Sequence, residues 1–510
     1  MKTILLILVS SFISISIYAQ NKLGNEWITG GGGNRVKFTQ SGIFTSDIKF
    51  ILSYFTKGNS NICDTNGNLI LCSDGYNVYD SNANYLDGGD TLIPKDLFVD
   101  QDGWSALSQS SIFLPMDSGI YYFITPTMSD SQYADCQANS NCHFDLLLYN
   151  IIDMKANGGA GKVVKRMQPL MEHAFLSKTR MMACRHANGK DWWLLKQSEF
   201  GNVVFKFLFT QDSIYNYGSQ VFNSPSWGSG WDLRGQSMFS QDGSKYATTV
   251  DGIPATGEVF IADFDRCYGI LSNEKIIYTP ELNYHDPNDT TLKQRTSVGL
   301  AFSPNGKLLY VMSPHNLLQY DLDDNTWFHV AGLDTSYQKF QDYSSSYLGP
   351  DNKLYIGNFG GTSKQMSVVN NPDVKGVGCN FCPRCLRLDT LGINDGFVGT
   401  PPCMPNYSLG AQVCWPLESS EIEDKRLETL EVYPNPSSTN IDVRYEIRDK
   451  RNATIEMYNA IGQQVYSSQI SHLSAHISID VRHLAKGMYY LRCLPVGQTG
   501  ENEVKKVIIE

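Results

Sequence analysis

The sequence predicts an all-β protein, a β-propeller followed by a smaller β-sandwich, and three observations predict it. A strand–turn–strand unit recurs, most legibly at Phe302-Ser-Pro-Asn-Gly-Lys-Leu-Leu-Tyr-Val311 followed by Leu317-Leu-Gln-Tyr-Asp-Leu-Asp323. The 510-residue composition is strand-rich, with 12% aromatic residues, 43 glycines and little helical periodicity. From Leu430 onward, seven short alternating runs fit within about 80 residues, the density of a sandwich.

The repeating unit has a mechanism. Asn305-Gly306 supplies the left-handed backbone of a tight hairpin turn, and Leu308–Met312 is an apolar run of strand length. Further copies turn near Gly67, Gly119, Gly189, Gly243 and Asn352, at intervals of 46 to 70 residues. Repeats built only of strands and turns suit propeller blades, each a small sheet stacked on its neighbours. Spread over seven blades, residues 20–410 give about 56 residues each. Seven is the favoured count, with six and eight open. Six copies are visible from Cys63 on, so an early strand around Trp27 or Val36–Phe38 is expected to close the ring by pairing with late strands around Leu354–Ile356 or Ser367–Val369.

Taken in order, residues 1–19 read as a signal peptide: Lys2, then an apolar Ile4–Ile17 run interrupted by serine, then Ala19 before Gln20. Residues 20–411 form the propeller, 412–430 a polar acidic linker, and 431–510 the second module. The whole chain carries a net charge of −11, while 431–510 holds 9 basic and 9 acidic residues, so the excess lies upstream. An acidic body argues against nucleic acid and anionic membrane surfaces as partners. No stretch of the mature chain reads as a transmembrane helix. Twelve cysteines in an exported chain favour disulfides. Cys63 and Cys72 flank a turn, Cys136 and Cys142 close a short loop, and Cys379, Cys382, Cys385 and Cys403 form a cluster stapling the last blade. Cys184, Cys267 and Cys493 lack near partners.

The second module resembles the type A C-terminal sorting domain of the type IX secretion system. The resemblance rests on Tyr433-Pro-Asn-Pro436, Asn459-Ala-Ile-Gly-Gln-Gln-Val465, Leu484-Ala-Lys-Gly-Met-Tyr-Tyr-Leu491 and Lys505-Lys-Val-Ile-Ile-Glu510. It implies an immunoglobulin-like sandwich, passage through the outer membrane of a Gram-negative bacterium via the periplasm, and the secretion machinery as partner. The body resembles a cell-envelope, WD-repeat-like propeller family, through Cys63–Gly75, Arg185–Trp193, Asp263–Asn273, Phe302–Lys307 and Met404-Pro-Asn-Tyr407. That resemblance implies a fold and no activity.

Candidate sites are few. Asn223-Ser-Pro-Ser-Trp-Gly-Ser-Gly-Trp231 can present the rings of Trp227 and Trp231 for stacking on a sugar. Asp80–Asp90 has oxygens at alternate positions as calcium loops do, but Tyr85 stands where an EF-hand needs glycine, so no cofactor is expected. His186 suits a hydrogen-bonded turn, and Trp192-Trp193 should place one ring inward and one outward. Ala156–Lys162 lacks the first glycine and the hydroxyl of a phosphate loop. The reading is an exported, surface-displayed or released propeller that binds a glycan or protein ligand. The rival is a glycan-active hydrolase or lyase with carboxylates at the channel mouth.

Overall fold

Antiparallel sheets make up nearly everything in the computed structural model, which divides into two units, Met1–Gln412 and Val413–Glu510. It describes residues 22–31, 33–48, 54–55, 57–94, 107–140, 142–199, 201–222, 235–249, 257–283, 293–294, 297–332, 343–358, 365–387, 399–414, 428–447, 453–459, 463–470, 474–495 and 504–510. The signal-peptide, Trp227 and Trp231 expectations, and most of the expected linker, lie outside these residues.

In the first unit the turns fall where glycine or asparagine permits positive φ: Gly67 at 87°, Gly243 at 72°, Gly306 at 71° and Asn352 at 59°. Each joins the first two strands of a sheet. The first sheet contains Glu26–Gly31, Asn34–Thr39, Gly42–Asp47 and Tyr54–Phe55. The second contains Ser60–Cys63, Leu69–Ser73 and Val78–Asp80. A seven-stranded sheet runs from Ile112–Pro115 to Ile214–Val221. Its central strand, Lys162–Arg185, is 24 residues long. The first part of that strand pairs mainly with Phe144–Asp153 and its last part with Trp192–Ser198. Three four-stranded sheets follow, beginning at Ser237–Phe239, Gly299–Phe302 and Tyr343–Leu348.

Burial grades across each sheet. Leu308–Met312 is buried throughout, whereas the outer strand Thr326–Gly332 is partly to fully exposed. The first strands are also buried yet rich in serine and glycine, because they approach one another closely: a Cβ on Gly299 would stand 2.4 Å from the Ser344 carbonyl oxygen. Buried polar side chains connect these strands. Asn61 accepts from Ile28 N at 3.1 Å and donates to Glu26 O, joining the second sheet to the first. Ser60 meets Ser111 at 2.7 Å. Thr248 donates to Gln197, and Gln236 bonds Leu300 N, Ser346 N and Ser346 O. The last sheet meets the first: Trp27 and Phe38 set their rings edge-on to Tyr355, with centroids 5.1 and 5.5 Å away, in a cluster with Met366 and Leu386.

Residues 399–412 contain no strand and are nonetheless held along their length. Gly399 O accepts from Asn358 N in the last sheet, and Cys403 N donates to Asn59 O beside the second at 2.7 Å. Tyr407 Oη donates to Phe113 O and Asn406 Nδ2 to Gln241 O, while Gln412 N reaches Ala187 O. Arg266 Nη2 donates to Gly410 O at 2.5 Å. This strap ties together sheets distant in sequence.

The second unit has two sheets sharing one core. One contains Glu428–Tyr433, Asn440–Ile447 and Ser474–Asp480, and the other Ala453–Asn459, Gln464–Ile470, Gly487–Pro495 and Val504–Ile509. Ile441, Val443 and Ile479 from the first meet Ile455, Met457, Leu491 and Val507 from the second.

Three sequence expectations need correction. The early strand Glu26–Gly31 does not pair with a strand of the last sheet: among the described residues its partners are Asn34–Thr39 and Tyr54–Phe55, and the first and last sheets meet through side chains. Cys63 and Cys72 are separate buried thiols: a register shift sets Cys63 opposite Leu69 and Cys72 opposite Asn61, so the two do not face each other. Both Trp192 and Trp193 are buried, because the sheet is covered on both faces. Trp192 Nε1 donates to Pro115 O and Trp193 Nε1 to Arg266 O.

Candidate functional site

The strap forms one wall of a cavity of about 190 Å³. Met182–Cys184 on the long central strand, Met238–Gln241, Tyr347–Pro350, Asn352 and Gly24–Asn25 supply the rest, and Met404–Leu409 closes it. Among the described residues that line it there is no Asp, Glu, Lys, Arg or His. Its ionisable groups stay neutral near pH 7: burial pushes the Cys184 thiol up to about 12 and raises the Tyr347 and Tyr407 phenols well above their ordinary range. The Cys403 thiol, beside Tyr347, is likewise pushed up to about 12 by burial.

The polar wall is made of amides and hydroxyls. Asn406 Nδ2 donates to both the backbone and side-chain oxygens of Gln241 at 2.8 Å, and its Oδ1 accepts from Ser408 N. Asn25, which also lines the cavity, has a side-chain amide with no partner among the described residues. Thioethers line the apolar side, with Met404 Sδ 3.9 Å from Asn61 Nδ2 and Met238 Sδ 4.0 Å from Gln109 Nε2. Such a wall can hold a neutral ligand by hydrogen bonds and apolar contact. Among the described residues that line it there is no pair of carboxylates.

The other expected sites are placed as follows. Cys136 is bonded to Cys142 at the end of the helix Asp130–Asn139, and Cys382 to Cys385 in the last sheet. Cys379 and Cys403 are buried thiols rather than partners in that cluster, and Cys267 is disulfide-bonded. His186 Nδ1 accepts from Asn188 N, and its Nε2 lies 3.1 Å from Cys267 O, a turn role. In the Asp80–Asp90 loop, Asp80 accepts from Asn82 N and Asn84 N, while Asp87 pairs with Lys162 and Asp90 with Arg166. No group of three or more His, Cys, Asp or Glu suited to a metal is present among the described residues. Sequence reasoning missed the strap cavity. Met404–Tyr407 was legible only as a word of resemblance, because an aperiodic segment gives no sign of what it crosses.

A family model described as "Secretion system C-terminal sorting domain" matches residues 431–510. No curated protein matches the chain. Among solved structures, the chain is similar to PorZ, described as an essential bacterial surface component of the type-IX secretion system of Porphyromonas gingivalis. The two share 10% identity, over 94% of this chain and 68% of that one, with a TM-score of 0.32. It is also similar to Hsv2 of Kluyveromyces lactis, at 11% identity over 70% of this chain and 85% of that one, with a TM-score of 0.28. No described helix is long and apolar enough to cross a membrane. The sorting domain at residues 431–510 directs the protein to the cell surface or the medium.

Proposed function

We propose that the protein is type IX secretion cargo whose body is a seven-bladed propeller acting as a binding module, with a signal peptide at 1–19 and a sorting sandwich of immunoglobulin type at 431–510. Seven blades follow if the long strand Lys162–Arg185 serves two of them, the last strand of one and the first of the next. The edge-on rings of Trp27 and Tyr355 support closure between first and last blades. The Trp227–Trp231 loop remains a second candidate contact for a glycan.

The observation that carries the binding reading is the uncharged cavity walled by the strap. A rigid framework of loops around a recess suits recognition. At about 190 Å³ it is smaller than drug-sized sites of about 300–1,000 Å³ and suits one sugar ring of a neutral glycan. A glycan array combined with a hydrolysis assay on the exported chain tests this. Retention of an intact neutral glycan is the expected outcome; turnover without retention would favour the hydrolase or lyase reading, and no interaction with any glycan would remove glycan binding.

A further inference from the structure

The last strand, Val504–Ile509, lies at the edge of its sheet, with Gly487–Pro495 as its one strand neighbour among the described residues. An open edge offers unpaired peptide groups to any passing strand. Here the edge is closed by the segment that opens the domain. The Asn435 side-chain amide donates to Lys506 O at 2.7 Å, and its Oδ1 accepts from Ile508 N at 2.8 Å. It thus occupies the place of a peptide group in a neighbouring strand. Ser437 continues the line: its N donates to Ile508 O and its carbonyl accepts from Glu510 N, each at 2.9 Å. Ser437 Oγ then anchors to Asn440 O at 2.8 Å. The Tyr433-Pro-Asn-Pro436 and Lys505–Glu510 motifs, far apart in sequence, are therefore one structural unit.

With the edge shut, the strand has its outward side chains to offer a partner. The alternation that buries Val507 and Ile509 leaves Ile508 37% exposed, beside Met488 at 39% and Tyr490 at 42%. Lys506 is exposed on the same face, opposite Tyr490. These three apolar side chains lie together on the outward face, bordered by the Lys506 cation.

We propose that Asn435 is a positioning residue of the secretion address: it locks the terminal strand's edge, so that the export machinery reads the strand through the Tyr490–Ile508 face rather than by adding a strand of its own. This rests on the sorting-domain match. The test follows export of the full chain and, on chain purified from whole cells, hydrogen exchange at the Ile508 amide. Four variants are compared: Asn435→Ala, Asn435→Asp, Tyr490→Ser with Ile508→Ser, and the core control Ile455→Val.

Asn435→Ala should speed Ile508 exchange about tenfold, the effect of one lost hydrogen bond, and lower export several-fold. Asn435→Asp, which keeps the acceptor for Ile508 N and loses the donor to Lys506 O, should fall between. The double serine variant should lower export while leaving thermal stability near wild type, and Ile455→Val should be exported normally despite its smaller core. Normal export of Asn435→Ala with fast Ile508 exchange, unchanged Ile508 exchange in that variant, or equal export loss in Ile455→Val would each overturn the proposal. Greater export once the edge is opened would instead identify strand addition as the mode. Normal export after deletion of 431–510 would refute the sorting reading itself, a separate result.

Discussion

Asn61 illustrates why the interior of the body is polar. Its amide is buried and bonds the backbone of Glu26 and Ile28, so it performs for the first sheet what a paired strand would. Asn61→Ala should destabilise the protein by about 1–3 kcal/mol, because it leaves buried peptide groups without partners; urea denaturation would measure it, and a change below about 0.5 kcal/mol would contradict the assignment. The free thiols give a second check at this scale. Burial pushes Cys184 and Cys403 up to about 12, so neither should react with iodoacetamide at pH 8 until the chain unfolds. Mass mapping of the alkylated peptides would show this; rapid labelling of folded protein would refute it. Residues such as Asn61, Gln109 and Gln236 were illegible in the sequence, since an amide in a strand normally signals an exposed face. Likewise the two cysteines flanking Asn66-Gly67 read as a staple only while their register was unknown; the shift between Ile62 and Cys63 separates them.

At the scale of elements, the hairpins were legible because their turn residues have a stereochemical reason to be there, and the strap was not. Two predictions belong here. Tyr407 anchors the strap through Phe113 O and sets its ring edge-on to Trp192, with centroids 5.9 Å apart. Tyr407→Ala should cost about 3–5 kcal/mol, as removal of a buried aromatic ring does, whereas Tyr407→Phe should cost about 1 kcal/mol for the lost hydrogen bond. Calorimetry on both variants separates packing from bonding. The second prediction concerns acid stability. Lys375, which contacts Asp321 and lies 2.7 Å from Asp324, ties the turn at Gly376–Cys379 to the sheet beginning at Gly299–Phe302. The Lys375 ammonium and then Asp324 N–H hold the Asp321 carboxyl below its ordinary range. A depressed folded pKa contributes stability above the unfolded value of about 3.9 and loses it as pH falls through the folded value. Wild type should therefore lose stability more steeply below about pH 4 than Lys375→Ala, with no difference in slope between about pH 5 and 7. Parallel acid curves would refute the pairing.

At the scale of the whole molecule, the sequence showed the class of each part and concealed how the body is held together. Trp27 was legible as part of an early strand; its contact with Tyr355, more than three hundred positions later, is a tertiary fact. The strap adds a second tie, and the same segment walls the cavity. That cavity is the proposed site for a neutral ligand. Asn25 offers the cleanest probe, because its amide has no partner among the described residues and its removal should leave the fold intact. The decisive measurement is a calorimetric titration of full-length wild type and Asn25→Ala with the neutral glycan retained on an array, at low and high salt. The account predicts saturable binding to wild type with nearly the same affinity at both salt concentrations, since no charged residue is among the described residues that line the site, and at least tenfold weaker binding to the variant at unchanged melting temperature. Binding that collapses in salt, or that Asn25→Ala leaves untouched, would contradict it.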